Sequence, residues 1–202
     1  RWYWVRHAPV MDATGELYDT PDEPADVSNT AAFEALAQAL PKEAIWLTSD
    51  LQRAHQTADA IAAAGNTPAQ RLEDARLAEQ HFGDWFGQGG DKSFWKNRPG
   101  KAHNFWMVDA QTRPPGGESF LDLQERAVAT IEHYNSVYAG HTIVAVSHGG
   151  VIRAAVAYAL GLEPDKALCL MAENLSTTRL DYWPGPGVGG DWRCVFLNKR
   201  AA

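Results

Sequence analysis

The chain has 202 residues, of which 45% are hydrophobic and 21% charged, a balance that is ordinary for a folded α/β domain. Its formal net charge of −7 at pH 7 argues against a nucleic-acid partner and against an acidic membrane surface. Cys169 and Cys194 are too few and too far apart for a disulfide framework or a zinc site. We therefore interpret residues 1–202 as one domain without a structural metal.

The same features predict where the protein works. Sparse cysteine fits a reducing, cytoplasmic compartment, and no apolar run approaches the length of a membrane span. The chain opens on an apolar run, not on the basic-then-apolar pattern of a signal peptide. Because an initiator methionine is also missing, the sequence leaves open whether a leader was removed before Arg1. It also leaves open whether the protein is a monomer or a homodimer.

Six short segments are predicted as β-strands from apolar runs or from β-branched and aromatic composition. In chain order they are residues 2–5, 44–48, 70–73, 142–146, 176–182 and 192–197. Four longer segments repeat apolar residues at helical spacing. In chain order they are residues 28–40, 49–65, 118–138 and 151–160.

Capping residues set the expected helix boundaries. Ser28 is the predicted N-cap of the first helix, and Ser49 begins a capping-box pattern with Gln52 at the start of the second. Pro41 ends the first helix and Gly161 ends the last. The resulting order, β-α-β-α-β, an insertion, then α-β-α-β-β, predicts a mainly parallel sheet with helices on both faces.

Two segments between these elements are irregular. Residues 11–27 are polar and are expected to form a loop over the sheet edge, whereas residues 80–117 combine glycines and prolines with many aromatic residues. The aromatic residues are Phe82, Trp85, Phe86, Phe94, Trp95, Phe105 and Trp106. Two interpretations stay open for this second segment: a packed lid over a site, or a loop that fills its own small core.

Two histidines follow predicted strands at opposite ends of the sequence. His7 comes just after residues 2–5, and His148 comes just after residues 142–146. Ligands of open α/β sheets bind beyond the carboxyl ends of the strands. Both imidazoles are therefore expected at the same edge of the sheet.

Two arginines are expected at that edge as well. Arg6 precedes His7, and Arg53 lies in the first turn after the second strand, where the helix N-terminus adds free N–H groups. The planar fork of arginine stays charged and bonds phosphate oxygens in pairs. A single arginine or histidine in such a position is more often structural, but four converging groups favour a site for a phosphate monoester.

These residue types also predict a reaction. A neutral, oriented imidazole can attack phosphorus, so His7 is the candidate nucleophile and His148 the candidate donor to the phosphoryl oxygens. A general acid must protonate the leaving oxygen. Glu79, after the third strand, is the best candidate. Glu118 competes with it, although an acidic residue at a helix N-terminus is the simpler interpretation of Glu118.

Other motifs are weaker. The run around Ser147 approaches a nucleophile elbow, but no histidine follows His148 to complete a hydrolase triad. The glycine-rich segment 184–190 lacks the ending of a phosphate-binding loop and is expected to join two strands of a hairpin. A pocket role for His55 has no support from its neighbours. Four histidines are expected at the surface or in loops: His81, His103, His133 and His141.

Five motifs follow one another at plausible spacing and carry a family resemblance. They are residues 5–8 (VRHA), 48–58 (TSDLQRAHQTA), 79–85 (EQHFGDW), 116–119 (GGES) and 146–150 (VSHGG). Together they resemble the histidine phosphatase (phosphoglycerate mutase-like) superfamily over nearly the whole chain. The resemblance implies a three-layer α/β/α sandwich with a mostly parallel, mixed sheet that contains one antiparallel strand.

The resemblance also implies an activity, the hydrolysis of a small phosphorylated metabolite without a metal or another cofactor. The phosphoryl group would pass through a phosphohistidine intermediate on His7. Arg6, Arg53 and His148 match the phosphate pocket of the family. Glu79 matches the acid that protonates the leaving group and later activates water.

The substrate branch is less defined. The chain length is similar to that of small-molecule phosphatases, and residues 15–18 with residues 22–24 look like α-ribazole phosphatase-like members, so α-ribazole 5′-phosphate is the suggested substrate. Residues 8–10 (Ala-Pro-Val) depart from the usual Gly, acidic residue and Thr, and Phe86 replaces a common Glu. A phosphoglycerate mutase-type phosphotransferase and a catalytically inert phospho-ligand binding module remain as alternatives.

Overall fold

Six strands form one mixed sheet in the computed structural model, which describes residues 1–11, 18–89 and 91–201. In chain order they are β1 (Trp2–Arg6), β2 (Ile45–Thr48), β3 (Gln70–Glu73), β4 (Ile143–Ser147), β5 (Thr177–Tyr182) and β6 (Trp192–Lys199). Their spatial order is β3-β2-β4-β1-β5-β6, and β5 runs in the direction opposite to the other five strands. The mostly parallel sheet with one antiparallel strand is confirmed.

Four longer helices and two short ones accompany the sheet. In chain order they are α1 (Thr30–Ala39), α2 (Gln52–Ala63), α3 (Lys92–Asn97), α4 (Phe120–Val137), α5 (Gly149–Leu160) and α6 (Pro164–Ala167). The periodicity of the sequence predicts the four longer helices. It does not predict α3 or α6, because a helix of one or two turns is too short to establish a 3.6-residue period.

Helices cover both faces of the sheet, because successive strand residues point to opposite sides. On one face, Trp46, Val144 and Val146 pack against the apolar sides of α1 and α2. On the other face, Leu47 and Ala145 pack against α4 and α5. The architecture is therefore α/β/α, and no helix within the described ranges is long and apolar enough to cross a membrane.

Two predicted N-caps are wrong. Asn29, not Ser28, caps α1, and its side chain accepts a hydrogen bond from Ala32 N at 3.2 Å. Helix α2 begins at Gln52, and its N-cap residue is Leu51, which has no capping side chain. The Gln52 N–H donates instead to Asp22 Oδ1 at 2.8 Å. Ser49 forms no capping box, since its hydroxyl lies in the interior and is bonded to a histidine instead. A local pattern predicted these caps, and tertiary contacts overrode the one at Ser49.

The register of the parallel strands brings distant parts of the sequence to one edge. Arg6, the last residue of β1, lies opposite Ser147, the last residue of β4. His7 and His148 therefore leave the sheet side by side. Strand β2, on the other side of β4, ends at Thr48 near the same level.

The aromatic segment, residues 80–117, has its own small core. Phe82, Trp85, Met107 and Val108 are buried together. The two ends of the segment are joined backbone to backbone, with Asp84 N donating to Pro115 O at 2.9 Å and Glu118 N donating to His81 O at 2.8 Å. The segment is therefore a closed loop with a fixed base. Of the predicted polar loop 11–27, residues 12–17, and with them most of the 15–18 motif, lie outside the described residues.

Candidate active site

His7 is the first residue after β1, and only 1% of its surface is exposed. Its N–H donates to Ser147 O at 2.9 Å, and its carbonyl accepts from Asn174 Nδ2 at 2.9 Å. The ring Nδ1 lies 2.6 Å from Ala8 O. Because a carbonyl oxygen can only accept, Nδ1 carries the ring proton and Nε2 carries the lone pair.

His148 follows β4 and is fully buried, with its ring centroid 5.0 Å from that of His7. Its Nε2 lies 2.7 Å from the hydroxyl of Ser49, and that hydroxyl accepts from Leu51 N–H at 3.3 Å. We assign the hydroxyl proton to the contact with Nε2, which places the ring proton of His148 on Nδ1. No described residue accepts from this buried Nδ1. Such a donor suits an anionic ligand.

Two guanidinium groups flank the histidines. Arg6 Nη1 donates to Ala172 O at 2.7 Å, and Arg53 Nη1 donates to Pro21 O at 2.8 Å. Arg53 is 1% exposed and lies over the ring of Tyr18. The Nε atoms of both arginines are buried and unpaired among the residues that the structure describes. Each arginine is thus held by one backbone carbonyl and keeps other donors for an anion.

Burial sets the protonation of the two imidazoles. Desolvation lowers the pKa of His7 well below its usual value, and the charges of Arg53 and Arg6 lower it further. Desolvation also lowers the pKa of His148 well below its usual value, again with help from Arg53. Both rings are therefore neutral at pH 7. A neutral ring with a lone pair on Nε2 is the form of His7 that can act as a nucleophile.

Glu79 reaches the site from the loop after β3. Its carboxylate accepts from Gly150 N at 3.0 and 3.2 Å and from Gln80 N at 3.0 Å. A Cβ at position 150 would collide with this carboxylate, so glycine there permits the close approach. The carboxylate consequently lies against the N-terminus of α5, one turn from His148.

Glu118, the competing carboxylate, is engaged elsewhere. Its two oxygens accept from Arg126 Nη2 at 2.6 Å and from Nε at 3.0 Å, and Oε1 also accepts from His81 N at 3.0 Å. Arg126 donates in addition to Arg76 O at 2.7 Å and to Glu79 O at 3.2 Å. Glu118 precedes the N-cap of α4. The pair therefore ties the backbone on both sides of Glu79 to α4.

Backbone contacts hold the segment that follows His7, residues 8–10. Ala8 N donates to the Thr57 hydroxyl at 2.8 Å, and that hydroxyl donates to Arg53 O at 2.7 Å. Thr57 thus joins the backbone next to His7 to the helix that carries Arg53. Val10 pairs with Ala25 in an isolated antiparallel bridge.

A cavity of about 300 Å³ is lined by Arg6, Arg53 and Glu79, whereas the buried His7 and His148 are not among its lining residues. Phe82, Phe86, Trp106 and Met107 of the aromatic segment form part of its wall. Since Phe82 and Met107 also belong to the segment's own core, both interpretations of the segment hold in part. His81 is an exposed loop residue, as predicted, but it also lines the cavity, which the sequence did not predict.

All five predicted site residues lie at the same edge of the sheet: Arg6, His7, Arg53, Glu79 and His148. Sequence reasoning missed Ser49, although it follows β2 as His7 follows β1 and could have been found by that position. It also missed Arg126. Arg153, a further arginine, is buried one turn into α5, where its guanidinium packs 4.5 Å from the Trp106 ring.

Two other candidate residues lie outside the cavity. His55 Nε2 is 2.9 Å from Glu73, in a surface network that also contains Arg71. Ser147 is fully buried, and its hydroxyl donates to Leu77 O at 2.8 Å. This hydroxyl therefore contacts a backbone carbonyl instead of facing a substrate.

Known proteins similar to this chain agree with the geometry. Residues 2–198 match the model of the histidine phosphatase superfamily, branch 1. The chain is 32% identical over 185 residues to the glucosyl-3-phosphoglycerate phosphatase of Mycolicibacterium vanbaalenii, covering 85% of this chain and 80% of that protein. It is 28% identical over 200 residues to the probable phosphoglycerate mutase GpmB of Serratia proteamaculans, covering 94% and 88%. The solved structure of a mycobacterial glucosyl-3-phosphoglycerate phosphatase in complex with VO3 superposes with a TM-score of 0.76 at 28% identity and 98% coverage of both chains.

We expect the free energy of unfolding to fall as the pH drops below about 6.5, the usual pKa of histidine in an unfolded chain. Burial keeps His7 and His148 unprotonated in the fold, so the unfolded chain binds more protons and stability rises with pH. Once the pH is below the unfolded pKa, the slope approaches about 1.4 kcal/mol per pH unit for each histidine.

Chemical denaturation between about pH 5 and pH 7.5 measures this slope. His148→Asn should reduce it, whereas His133→Asn, which removes an exposed histidine of α4, should not. Identical slopes in the parent protein and in His148→Asn would contradict the expected coupling.

Proposed function

Because this chain belongs to branch 1 of the histidine phosphatase superfamily, we propose that it hydrolyses the phosphomonoester of a small metabolite through a phosphohistidine intermediate. One observation supports this most directly. The neutral imidazole of His7 has its Nδ1 bonded to a backbone carbonyl, and its ring lies 5.0 Å from that of His148, between two arginines. An imidazole oriented in this way, beside donors for an anion, is suited to attack a phosphoryl group.

In the first half of the reaction, His7 Nε2 attacks phosphorus. The P–N bond forms while the P–O bond to the leaving alcohol breaks, and the electron pair of that bond goes to the leaving oxygen. Glu79 donates a proton to this oxygen, so that an alcohol departs instead of an alkoxide. The hydrogen bond from His7 Nδ1 to Ala8 O stabilises the positive charge that develops on the ring.

In this proposal three groups stabilise the charge on the phosphoryl oxygens: Arg6, Arg53 and the Nδ1–H of His148. Each is already held by the chain, through Ala172 O, Pro21 O and the Ser49 hydroxyl respectively. Donors that need no reorganisation contribute roughly 2.7–4 kcal/mol each to the transition state of comparable reactions.

In the second half, the Glu79 carboxylate takes a proton from water as the water oxygen attacks the phosphohistidine. The P–O bond forms, the P–N bond breaks, and His7 recovers its lone pair as inorganic phosphate is released. The hydrogen bond from Gly150 N to Glu79 keeps the carboxylate near the reacting phosphorus in both steps.

For the organic part, the sequence suggests α-ribazole 5′-phosphate, whereas the relatives reported above are named for phosphoglycerate chemistry. A phosphate-release screen over sugar phosphates, nucleotides, phosphoglycerates and α-ribazole phosphate, reported as kcat/KM, separates these substrates. A mutase would isomerise added phosphoglycerates with little release of phosphate. An inert binding module would retain phosphate esters without turnover.

His7→Ala is expected to reduce the hydrolysis of 4-nitrophenyl phosphate to below about one hundredth of the parent rate, because it removes the nucleophile. The parent enzyme quenched in denaturant should carry an acid-labile phosphoryl group that the variant lacks. His55→Ala, at a histidine outside the cavity, is the control and should remain active. Residual activity of His7→Ala above about one tenth of the parent rate would exclude His7 as the nucleophile.

Glu79→Gln should slow alkyl phosphates much more than aryl phosphates, because only a poor leaving group needs a strong proton donor. The measurement is kcat/KM for glycerol 3-phosphate and for 4-nitrophenyl phosphate. Glu118→Gln is the comparison, since it removes a carboxylate that holds the loop, and it should affect both esters alike. Equal losses on both esters in Glu79→Gln would remove Glu79 from the acid role.

Arg53→Ala should raise the inhibition constant of inorganic phosphate by about tenfold or more, because it deletes a charged donor to the anion. Competitive inhibition of aryl phosphate hydrolysis gives this constant. Arg71→Ala, which removes a partly exposed arginine outside the cavity, should leave it unchanged. An unaltered constant in Arg53→Ala would refute its role in phosphate binding.

A further inference from the structure

We propose that the organic part of the substrate carries no negative charge, so that the cavity accepts phosphomonoesters of uncharged alcohols and discriminates against those of hydroxy acids. This specificity rests on the proposed function, because it concerns the group attached to the phosphate that the site would hydrolyse. The charges on the cavity walls, and the partners that those charges already have, support it.

The arginines that line the cavity either are assigned to the phosphate or already have hydrogen-bond partners in the protein. Among the described residues, three arginines line the cavity: Arg6, Arg53 and Arg126. The first two adjoin the imidazoles and are assigned to the phosphate. Arg126 has five N–H donors, and four of them are used by the Glu118 carboxylate and by the carbonyls of Arg76 and Glu79. A second anionic group on the substrate would therefore find no uncommitted arginine among the described wall residues.

Nearby cations outside the walls do not change this. Arg153 is buried beside Trp106, next to the guanidinium of Arg6, and donates its Nε to Leu170 O at 2.9 Å; it is not one of the residues that line the cavity. None of the lysines or arginines of the aromatic segment is a wall residue in the described part of the chain. Residues 12–17 contain Asp12 and Glu16 but no lysine or arginine.

One wall residue is an acid with no partner in the described structure. Asp50 follows Ser49 after β2, is exposed and lines the cavity, and no described residue donates to its carboxylate. It lies three residues before Arg53 in the sequence and lines the same cavity. A substrate carboxylate in the same cavity would be repelled by this charge, and like charges at short distance are costly even at moderate dielectric.

The remaining walls suit an uncharged ring. Tyr18, Phe82, Phe86 and Trp106 give the cavity an aromatic surface. Aromatic faces carry partial negative charge, so they attract apolar C–H faces and offer nothing to a carboxylate. The expected substrates are phosphate esters of a sugar, a nucleoside or another neutral alcohol with an apolar face.

Glycerol 3-phosphate and 3-phosphoglycerate form a matched pair for the test. Both lose phosphate from a primary carbon of a three-carbon chain, and they differ in a hydroxymethyl group against a carboxylate. We expect kcat/KM to be higher for glycerol 3-phosphate by at least about tenfold, which corresponds to about 1.4 kcal/mol. Asp50→Asn should narrow this ratio severalfold. Glu34→Gln, which makes the same charge change on the exposed side of α1, should leave the ratio as it is.

An equal or higher kcat/KM for 3-phosphoglycerate would overturn the proposal, and so would an unchanged ratio in Asp50→Asn. If the folded protein releases phosphate from neither ester, the proposed function fails. The charge preference is then tested by calorimetry, which measures the Kd of each ester for the same protein. Glycerol 3-phosphate should bind at least about tenfold more tightly than 3-phosphoglycerate, and equal or weaker binding would contradict the proposal.

Discussion

The parallel pairing of β1 with β4 is the contact on which the site depends. It places Arg6 opposite Ser147, and the histidine after each strand consequently emerges at the same level. A slip of one residue would send one imidazole to the opposite face of the sheet, and a slip of two would move it by about 6–7 Å. The apolar side chains that α1, α2, α4 and α5 bury against these strands fix the register.

The same edge collects groups that are expensive to bury. Arg53 and both histidines are almost completely removed from water. The imidazoles reduce the cost by staying neutral, and the guanidinium groups are partly satisfied by backbone carbonyls such as Pro21 O. The donors left over, the Nε atoms of Arg6 and Arg53 and the Nδ1 of His148, all suit one anion. Buried donors without a protein partner lower the stability of the fold, and such groups are typical of a functional site.

The sequence was sufficient to predict those elements and site residues that a local pattern identifies. The apolar runs identify the strands, and the residues just after two of them identify His7 and His148. The position of Ser49 after β2 could have marked it as a site residue in the same way. Its role could not be deduced, because its hydrogen bond to His148 depends on the tertiary fold. The short helices α3 and α6 were missed because they have too few turns to show a period.

The structure separates chemistry from selectivity. The groups assigned to the phosphate lie at strand ends or helix starts, so their positions are set by the core of the domain. The opposite wall belongs to the aromatic segment, which buries its own residues and is fixed at its base by the Glu118–Arg126 pair. Side chains such as Phe86 and Trp106 can therefore vary without moving the sheet edge. This division explains why motifs along the chain indicate the reaction clearly, whereas the identity of the alcohol depends in part on wall residues such as Phe86 and Trp106, which belong to no motif.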